Sequence, residues 1–477
     1  MGLNPPGRPV SGTGKKTSQG LLQVLALLLA VALAACTNPA NLPSNLPLTD
    51  AADVVEAAGS LLRPGSTAIF VALSGGGARS AAFGYGVLSA LAEQRAPEGA
   101  GRTLADDITV AAGVSGGGIL AAYLALHGPA ALPGFKRDYL DRDAEASLRT
   151  AITPVNLLRG YRGGVNDLTG LASWLDEHLY HGATLGALER AKGPRLLLHA
   201  TELYNRAPFS FERSSFRAIC SDYRSFPLSQ AVAASAAVPV IFAPIVLTNF
   251  RPACPTATAV VDTPAERSTL AAQRRETQTR YATAPDLRYL KLLDGGLVDN
   301  LAVRNLARSM SEPAPAPLSP ANALRVRRII VIVADASLRT GGDMSIAIEG
   351  PEAPGIISAS IDAMIDTASR TSLDLLERNI GHWRQRLIRW RCATRPKLDC
   401  GWLAVDLIKL SLADIHDPET ASRILKLHNR LSLKPDEVDF LAGLGRHLLI
   451  ANPLYRRIVA VPRRWASAST SGPQLRP

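Results

Sequence analysis

The sequence predicts an α/β protein with a mostly parallel central sheet covered by helices on both faces. Three observations carry that expectation. A short apolar run reads as a buried strand at 68–73, a strand-like segment follows at 108–112, and further strand candidates recur at 195–203, 289–293, 328–334 and 402–410. Segments of helical character separate them, notably 78–94, 119–126, 168–180, 228–237, 356–380, 417–429 and 435–449. Two of the strands, 68–73 and 108–112, pass through glycine turns straight into helices. Strands apolar along their whole length and alternating with helices belong to parallel sheets buried on both faces. Sites in such sheets lie at the C-terminal ends of the strands, where both glycine turns fall.

Taken in chain order, the 477 residues begin with a segment outside the fold. Residues 1–20 carry Arg8, Lys15 and Lys16 and no acid, and residues 21–35 are apolar apart from Gln23. A basic stretch followed by an apolar one is the layout of a secretory signal, and the run is too short for a comfortable membrane span. It ends in Leu33-Ala34-Ala35-Cys36, which resembles the lipobox of bacterial lipoproteins. That resemblance implies removal of residues 1–35, lipidation of Cys36 and a membrane anchor of acyl chains. Thr37, and no Asp, follows the cysteine, which by the same resemblance implies the outer membrane of a bacterial envelope. Residues 36–66 read as a tether, 67–450 as the folded domain and 451–477 as a C-terminal tail. Within the domain, 251–287 and 311–323 are polar or Pro-rich and read as surface loops. The first reads as an insertion and a candidate lid, because it ends just before a segment needed for chemistry.

Composition excludes some classes. Hydrophobic residues at 47% and charged residues at 19% support a sizeable core and argue against a disordered chain. The formal charge is +11, and without the three cations of residues 1–35 it is 11 − 3 = +8. That balance suits anionic lipid head groups. The arginines are spread widely, and no aromatic-plus-basic pattern suggests nucleic acid. Setting Cys36 aside leaves Cys220, Cys254, Cys392 and Cys400 in two sequence-near pairs, 220/254 and 392/400. Four cysteines allow three connectivities, and local pairing is the expectation for an exported chain. No CxxC pair points to structural zinc, and no dense carboxylate cluster points to calcium.

Three features carry chemistry. Gly113-Val114-Ser115-Gly116-Gly117 joins a strand to a helix. A serine hydroxyl needs exposure at a strained elbow, a base within reach and donors for the developing oxyanion. Small residues two before and two after it, Gly113 and Gly117, let the chain double back. The second feature is Gly75-Gly76-Gly77-Ala78-Arg79. Its successive glycines at a helix N-terminus present unobstructed N–H groups to an anion. Ser80 stands where a dinucleotide fingerprint needs glycine, and no Gly-Lys-Ser/Thr follows, so no nucleotide cofactor is expected. The third is Asp294-Gly295-Gly296, after the strand 289–293.

In this order and placement the chain resembles the patatin-like phospholipases. The blocks are SGGGAR at 74–79, GVSGG at 113–117, ASAAVPVIFAP at 234–244 and DGGLVDN at 294–300. The resemblance covers about 67–450 and implies a three-layer fold and a Ser–Asp dyad, with Ser115 as nucleophile and Asp294 as its base. It places the oxyanion among the amides of Gly75, Gly76, Gly77 and Ala78, with Arg79 nearby and Gly113, Gly117, Gly295 and Gly296 shaping the turns. It makes the 234–244 block a helix stopped by Pro239, with Ser235 in packing, and Asp299 and Asn300 braces of the dyad loop. Ser80 departs from the glycine many relatives carry, which touches the oxyanion geometry and leaves the dyad alone. The implied substrates are membrane phospholipids or lysophospholipids, with no cofactor or metal. A His-based triad is the mechanistic rival, from His382, His416, His428 or His447 after Asp294 or from His127, His178, His181 or His199 before it. Two further alternatives are a non-catalytic envelope lipoprotein that binds lipid or a partner, and transacylation on the same serine.

Overall fold

The computed structural model describes residues 2, 41–49 and 66–460, except 98, 150, 152, 252–268, 339–347, 349, 351, 397–399 and 428–429. The apolar run 21–35, Cys36 and Cys254 therefore lie outside the described residues.

An eight-stranded mixed sheet forms the centre. Its strands are β1 (Thr67–Leu73), β2 (Ile108–Gly113), β3 (Arg195–Glu202), β4 (Ala207–Ser210), β5 (Ile245–Thr248), β6 (Tyr289–Leu293), β7 (Arg328–Asp335) and β8 (Ala404–Ser411). They lie in the order β5-β6-β3-β2-β1-β7-β8, with β4 paired to β3. The run β3-β2-β1-β7-β8 is parallel, whereas β4, β6 and β5 join antiparallel at one side. The helices used below are α1 (Gly77–Glu93), α2 (Ser115–His127), α3 (Pro154–Tyr161), α4 (Leu228–Ser235), α5 (Thr269–Thr283), α6 (Val303–Ser311), α7 (Ala353–Thr394), α8 (Pro435–Ala451) and α9 (Pro453–Ala460).

The period of two along a strand explains the three layers. Ile69, Val71 and Leu73 of β1 enter one core with Phe83, Val87 and Leu91 of α1 and Ile119 and Leu120 of α2. Ala68, Phe70 and Ala72 enter the other with Leu306 of α6 and Leu376, Trp383 and Leu387 of α7. The architecture is the α/β sandwich that the apolar strands predict. On the first face α8 crosses α1 backbone to backbone: a Cβ on Gly86 would stand 1.9 Å from the Ala442 carbonyl oxygen, and one on Gly445 2.1 Å from that of Phe83.

Several boundaries differ from the sequence expectation. β4 and β5 are four-residue strands at the antiparallel side, too short to register as apolar runs, and β4 contains Pro208, which a non-central strand tolerates. The inserted segment 251–287 is no mere loop, because its second half is α5. The segment 168–180 divides into an α-helix, Leu171–Leu175, and a π-turn, Asp176–Tyr180. α7 runs 42 residues, past Gly381, because Trp383, Leu387 and Arg391 continue its buried stripe. The segment 451–477, read as a tail, starts with α9, whose Tyr455 is buried. The segment 36–66, read as a tether, is docked at 41–49. There the Asn41 side chain donates to the carbonyls of Ala243 and Pro244 at 3.1 and 3.0 Å and accepts from the Leu168 N–H at 2.8 Å. Asn45 exchanges bonds with both backbone groups of Thr248 at 2.9 and 2.8 Å. Cys392 and Cys400 form a disulfide with Cα atoms 5.0 Å apart, tying the end of α7 to the approach to β8. Cys220 is also disulfide-bonded.

Candidate active site

β1 and β2 are parallel neighbours, so the turns after them emerge side by side, linked by the Val114 N–H donating to the Leu73 carbonyl at 3.3 Å. Val114 is extended, and Ser115 sits at φ 52°. A left-handed backbone in a non-glycine residue costs of order 1–3 kcal/mol and persists only where surroundings enforce it. The surroundings here are glycines at backbone contact. A Cβ on Gly116 would lie 1.9 Å from the Gly77 carbonyl oxygen, one on Gly117 2.4 Å from that of Ser74, and one on Gly113 2.6 Å from that of Gly117. Glycine is demanded at these positions by space. The same contacts seat the N-terminus of α2, with its positive dipole end, at Ser115.

The Gly75–Ala78 turn is fastened on two sides, which changes which amides are available. The Gly75 N–H donates to the Asn300 carbonyl at 2.8 Å and the Ala78 N–H to the Arg430 carbonyl at 2.6 Å. These two, expected among the oxyanion donors, are already used by the fold. The N–H groups of Gly76 (φ 130°) and Gly77 (φ 59°) have no partner among the described residues. Arg79 is buried and directs Nε to the Ala336 carbonyl at 3.0 Å and Nη1 to that of Leu427 at 2.9 Å, two bonds that tie the turn to the C-terminal third of the chain. The Ser80 hydroxyl donates to the Gly77 carbonyl at 2.9 Å, which accommodates the departure at that position.

β6 ends level with Thr201 of β3, which delivers Asp294 to the same place. Its backbone is held at both ends: the N–H donates to the Ala237 carbonyl at 2.9 Å and the carbonyl accepts from the Thr201 hydroxyl at 2.7 Å. The carboxyl accepts the Gly296 N–H at 2.7 Å. Burial pushes the Asp294 carboxyl up to about 6, with the Gly296 N–H and the Ser115 hydroxyl pulling the other way. Serine and aspartate thus lie together in a nearly closed site, with Ser115 6% and Asp294 8% exposed.

Ser235, expected in packing, accepts the Ser115 N–H on its Oγ at 3.2 Å, and its carbonyl takes the Gly295 N–H at 3.1 Å. It therefore bridges the Ser115 turn and the Asp294 turn. Asn300 braces as expected, donating to the Ser337 hydroxyl at 2.9 Å while its carbonyl holds Gly75. Asp299 Oδ2 accepts the Arg304 N–H at 2.7 Å. The residue that sequence reading left among many is His199. It is fully buried on β3, its Nε2 is 3.2 Å from the Gly295 carbonyl, and burial pushes its pKa down. It faces the backbone behind the aspartate, and no local motif marks it. His127 and His178 bond the carbonyls of Leu179 and Trp174. A cavity of about 450 Å³ between β4, α5 and α6 reaches His199 and Asp299 but neither Ser115 nor Asp294. Among the described residues no group of three or more His, Cys, Asp or Glu is placed to hold a metal ion.

Comparison with known proteins adds three findings. The family model described as patatin-like phospholipase matches residues 71–307. Among solved structures, human GIVD cytosolic phospholipase A2 is similar at 14% identity and a TM-score of 0.29, over 57% of this chain and 46% of that one. The chain thus spans less than half the length of that protein. No curated protein matches.

Proposed function

We propose that this chain, whose residues 71–307 match the patatin-like phospholipase model, is a lipid hydrolase of that kind: a membrane-anchored serine acyl hydrolase working through Ser115 and Asp294. The observation that carries the reading is the pairing of a left-handed serine at a strand-to-helix elbow with a buried carboxyl. Ser115 Oγ attacks the ester carbonyl of a phospholipid or lysophospholipid, and Asp294 takes its proton. The tetrahedral oxyanion forms against the N–H groups of Gly76 and Gly77, aided by the N-terminal end of α2. Protonated Asp294 returns the proton to the leaving alkoxide, leaving an acyl group on Ser115. Water, deprotonated by Asp294, then releases the fatty acid. No imidazole is required, because a carboxyl near 6 is a competent base at neutral pH and still a usable acid. Anchoring through lipidated Cys36 at the outer membrane holds the enzyme beside its substrate, supported by the Leu33–Cys36 tetrad.

The test compares fatty-acid release from mixed phospholipids by the wild-type chain, Ser115→Ala and Asp294→Asn. Release by Ser115→Ala equal to wild type would sink the serine mechanism. Absence of release and of fluorophosphonate labelling in folded wild-type protein would favour a binding lipoprotein. Radiolabelled palmitate incorporated by a bacterial host, and lost in Cys36→Ala, checks the anchor.

A further inference from the structure

The helix α3 buries none of its residues. A short helix in water draws its stability from a packed apolar face, yet α3 turns Val155, Leu157 and Tyr161 outward, Leu157 at 64% and Tyr161 at 90% exposure. The loop beside it does the same with Val240 and Ile241. The two are stitched together: the Val165 and Asn166 N–H groups donate to the Val240 and Ile241 carbonyls at 3.1 and 2.9 Å, and a Cβ on Gly160 would meet Val240 Cγ1 at 3.6 Å. Val240 also holds φ 72°, a strained backbone that keeps the loop tip turned out. Asn41 pins the N-terminal segment onto the Ala243 and Pro244 carbonyls immediately downstream, and Leu42 beside it is exposed. A contiguous apolar patch of this kind marks an interaction surface.

We propose that this face, formed by α3, residues 238–242 and Leu42, is the surface that seats the protein on a bilayer bearing anionic head groups. The proposal rests on the lipid-hydrolase reading and assigns the face through which that enzyme meets its substrate. The chain itself argues for the occupant. The apolar run 21–35 ends six residue steps before Asn41, and six steps reach at most about 22 Å fully extended. Whatever bilayer takes up that run or an acylated Cys36 therefore lies within about 22 Å of the patch. Charge agrees on balance: residues 149–167 contain Arg149, Arg159 and Arg162 against one acid, Asp167, which lies 3.7 Å from Arg149, and each basic group near an anionic surface adds attraction. An amphipathic helix with arginines beside its apolar side is suited to lie in the interfacial plane. The loop leads to the chemistry, since Ala237 and Ser235, just upstream, accept the Asp294 and Gly295 N–H groups.

The experiment reads depth, because the N-terminal run or the acylated Cys36 alone carries the full chain to vesicles. In the Ser115→Ala background, Leu157→Cys and Arg395→Cys are each labelled with an environment-sensitive fluorophore, with unsubstituted protein labelled in parallel as background. Vesicles of phosphatidylcholine and phosphatidylglycerol are then added. The expected result is a blue shift and a several-fold rise in emission at position 157, with position 395 unchanged. An unchanged spectrum at 157, or equal shifts at both positions, overturns the proposal. So does a shift at 157 that grows with protein concentration without vesicles, which would assign the face to a second copy. In a second arm the double variant Leu157→Asp, Ile241→Asp should lose about tenfold or more on vesicle phospholipid and less than twofold on a monomeric short-chain ester. Equal loss on both overturns the surface. If the wild-type chain hydrolyses neither, the hydrolase reading fails while the fluorescence still decides the surface.

Discussion

Replacing Asp294 with Asn should make the protein inactive and, above pH 7, more stable. Burial raises this carboxyl from 3.8 to about 6. At about 1.4 kcal/mol per pH unit, that gap corresponds to about 3 kcal/mol. The sign follows from linkage: a carboxyl raised in the folded state contributes stability that is fully present below 3.8 and lost as pH rises through about 6. At pH 8 the wild type carries the whole cost of a buried ionised carboxylate. Asparagine keeps the shape and removes the charge, but accepts the Gly296 N–H more weakly, a loss of about 1 kcal/mol. The net expectation is a gain of about 2 kcal/mol at pH 8, turning into a small loss at pH 4. Urea denaturation of both proteins at the two pH values measures it. Activity should move oppositely, because the variant lacks the base, at a cost on the order of 10²- to 10⁴-fold. Wild-type kcat/KM on a soluble ester should rise about tenfold per pH unit below about 6 and level above it. Two results refute the reasoning: a variant with the same stability difference from wild type at both pH values, or a kinetic limb near 4.

Four other outcomes follow from the geometry. Gly76→Ala forces a side chain onto φ 130° and should reduce acylation of Ser115 by a fluorophosphonate about 100-fold or more, measured as a labelling rate, because it displaces an oxyanion donor. Asn300→Ala keeps the backbone bond to Gly75 but drops the tie to Ser337, and should lower kcat more than it raises KM. Gly86→Ala puts a methyl into the Ala442 carbonyl and should cost several kcal/mol in urea denaturation with little effect on kcat of the folded fraction. Removing the Cys392–Cys400 disulfide by the double variant Cys392→Ser, Cys400→Ser opens a loop with a sequence separation of 8 and should lower stability by about 2 kcal/mol, read from urea denaturation of the variant beside wild type, both without reductant.

The centre of the parallel sheet was legible because β1, β2 and β7 are apolar along nearly their whole length, and Ser115 and Asp294 because each follows a strand beside glycines. What escaped the sequence depends on contacts between distant segments. Gly75 and Ala78 look like donors equal to Gly76 and Gly77 until Asn300 and Arg430, 225 and 352 residues away, are seen to occupy them. Ser235 reads as a small packing residue because its bond to Ser115 spans 120 positions. Residues 41–49 read as a linker because Asn41 and Asn45 bond backbone groups more than 200 residues on, and no local composition records such a partner. α5 was hidden for another reason: its sequence is polar, with no apolar stripe to give a period.

The position of β1 between β2 and β7 bears on when the chain acquires chemistry. The Ser74–Ala78 turn is closed from one side by β2 and from the other by Ala334, Ala336 and Arg430. A nascent chain that has delivered Ser115 and Asp294, or even the whole 71–307 segment, still leaves β1 with an open edge and the turn unclamped. Long-range pairings form late in folding. The proposed catalytic geometry is therefore a property of the finished polypeptide, and a truncated product should contain the serine and the aspartate without an assembled site.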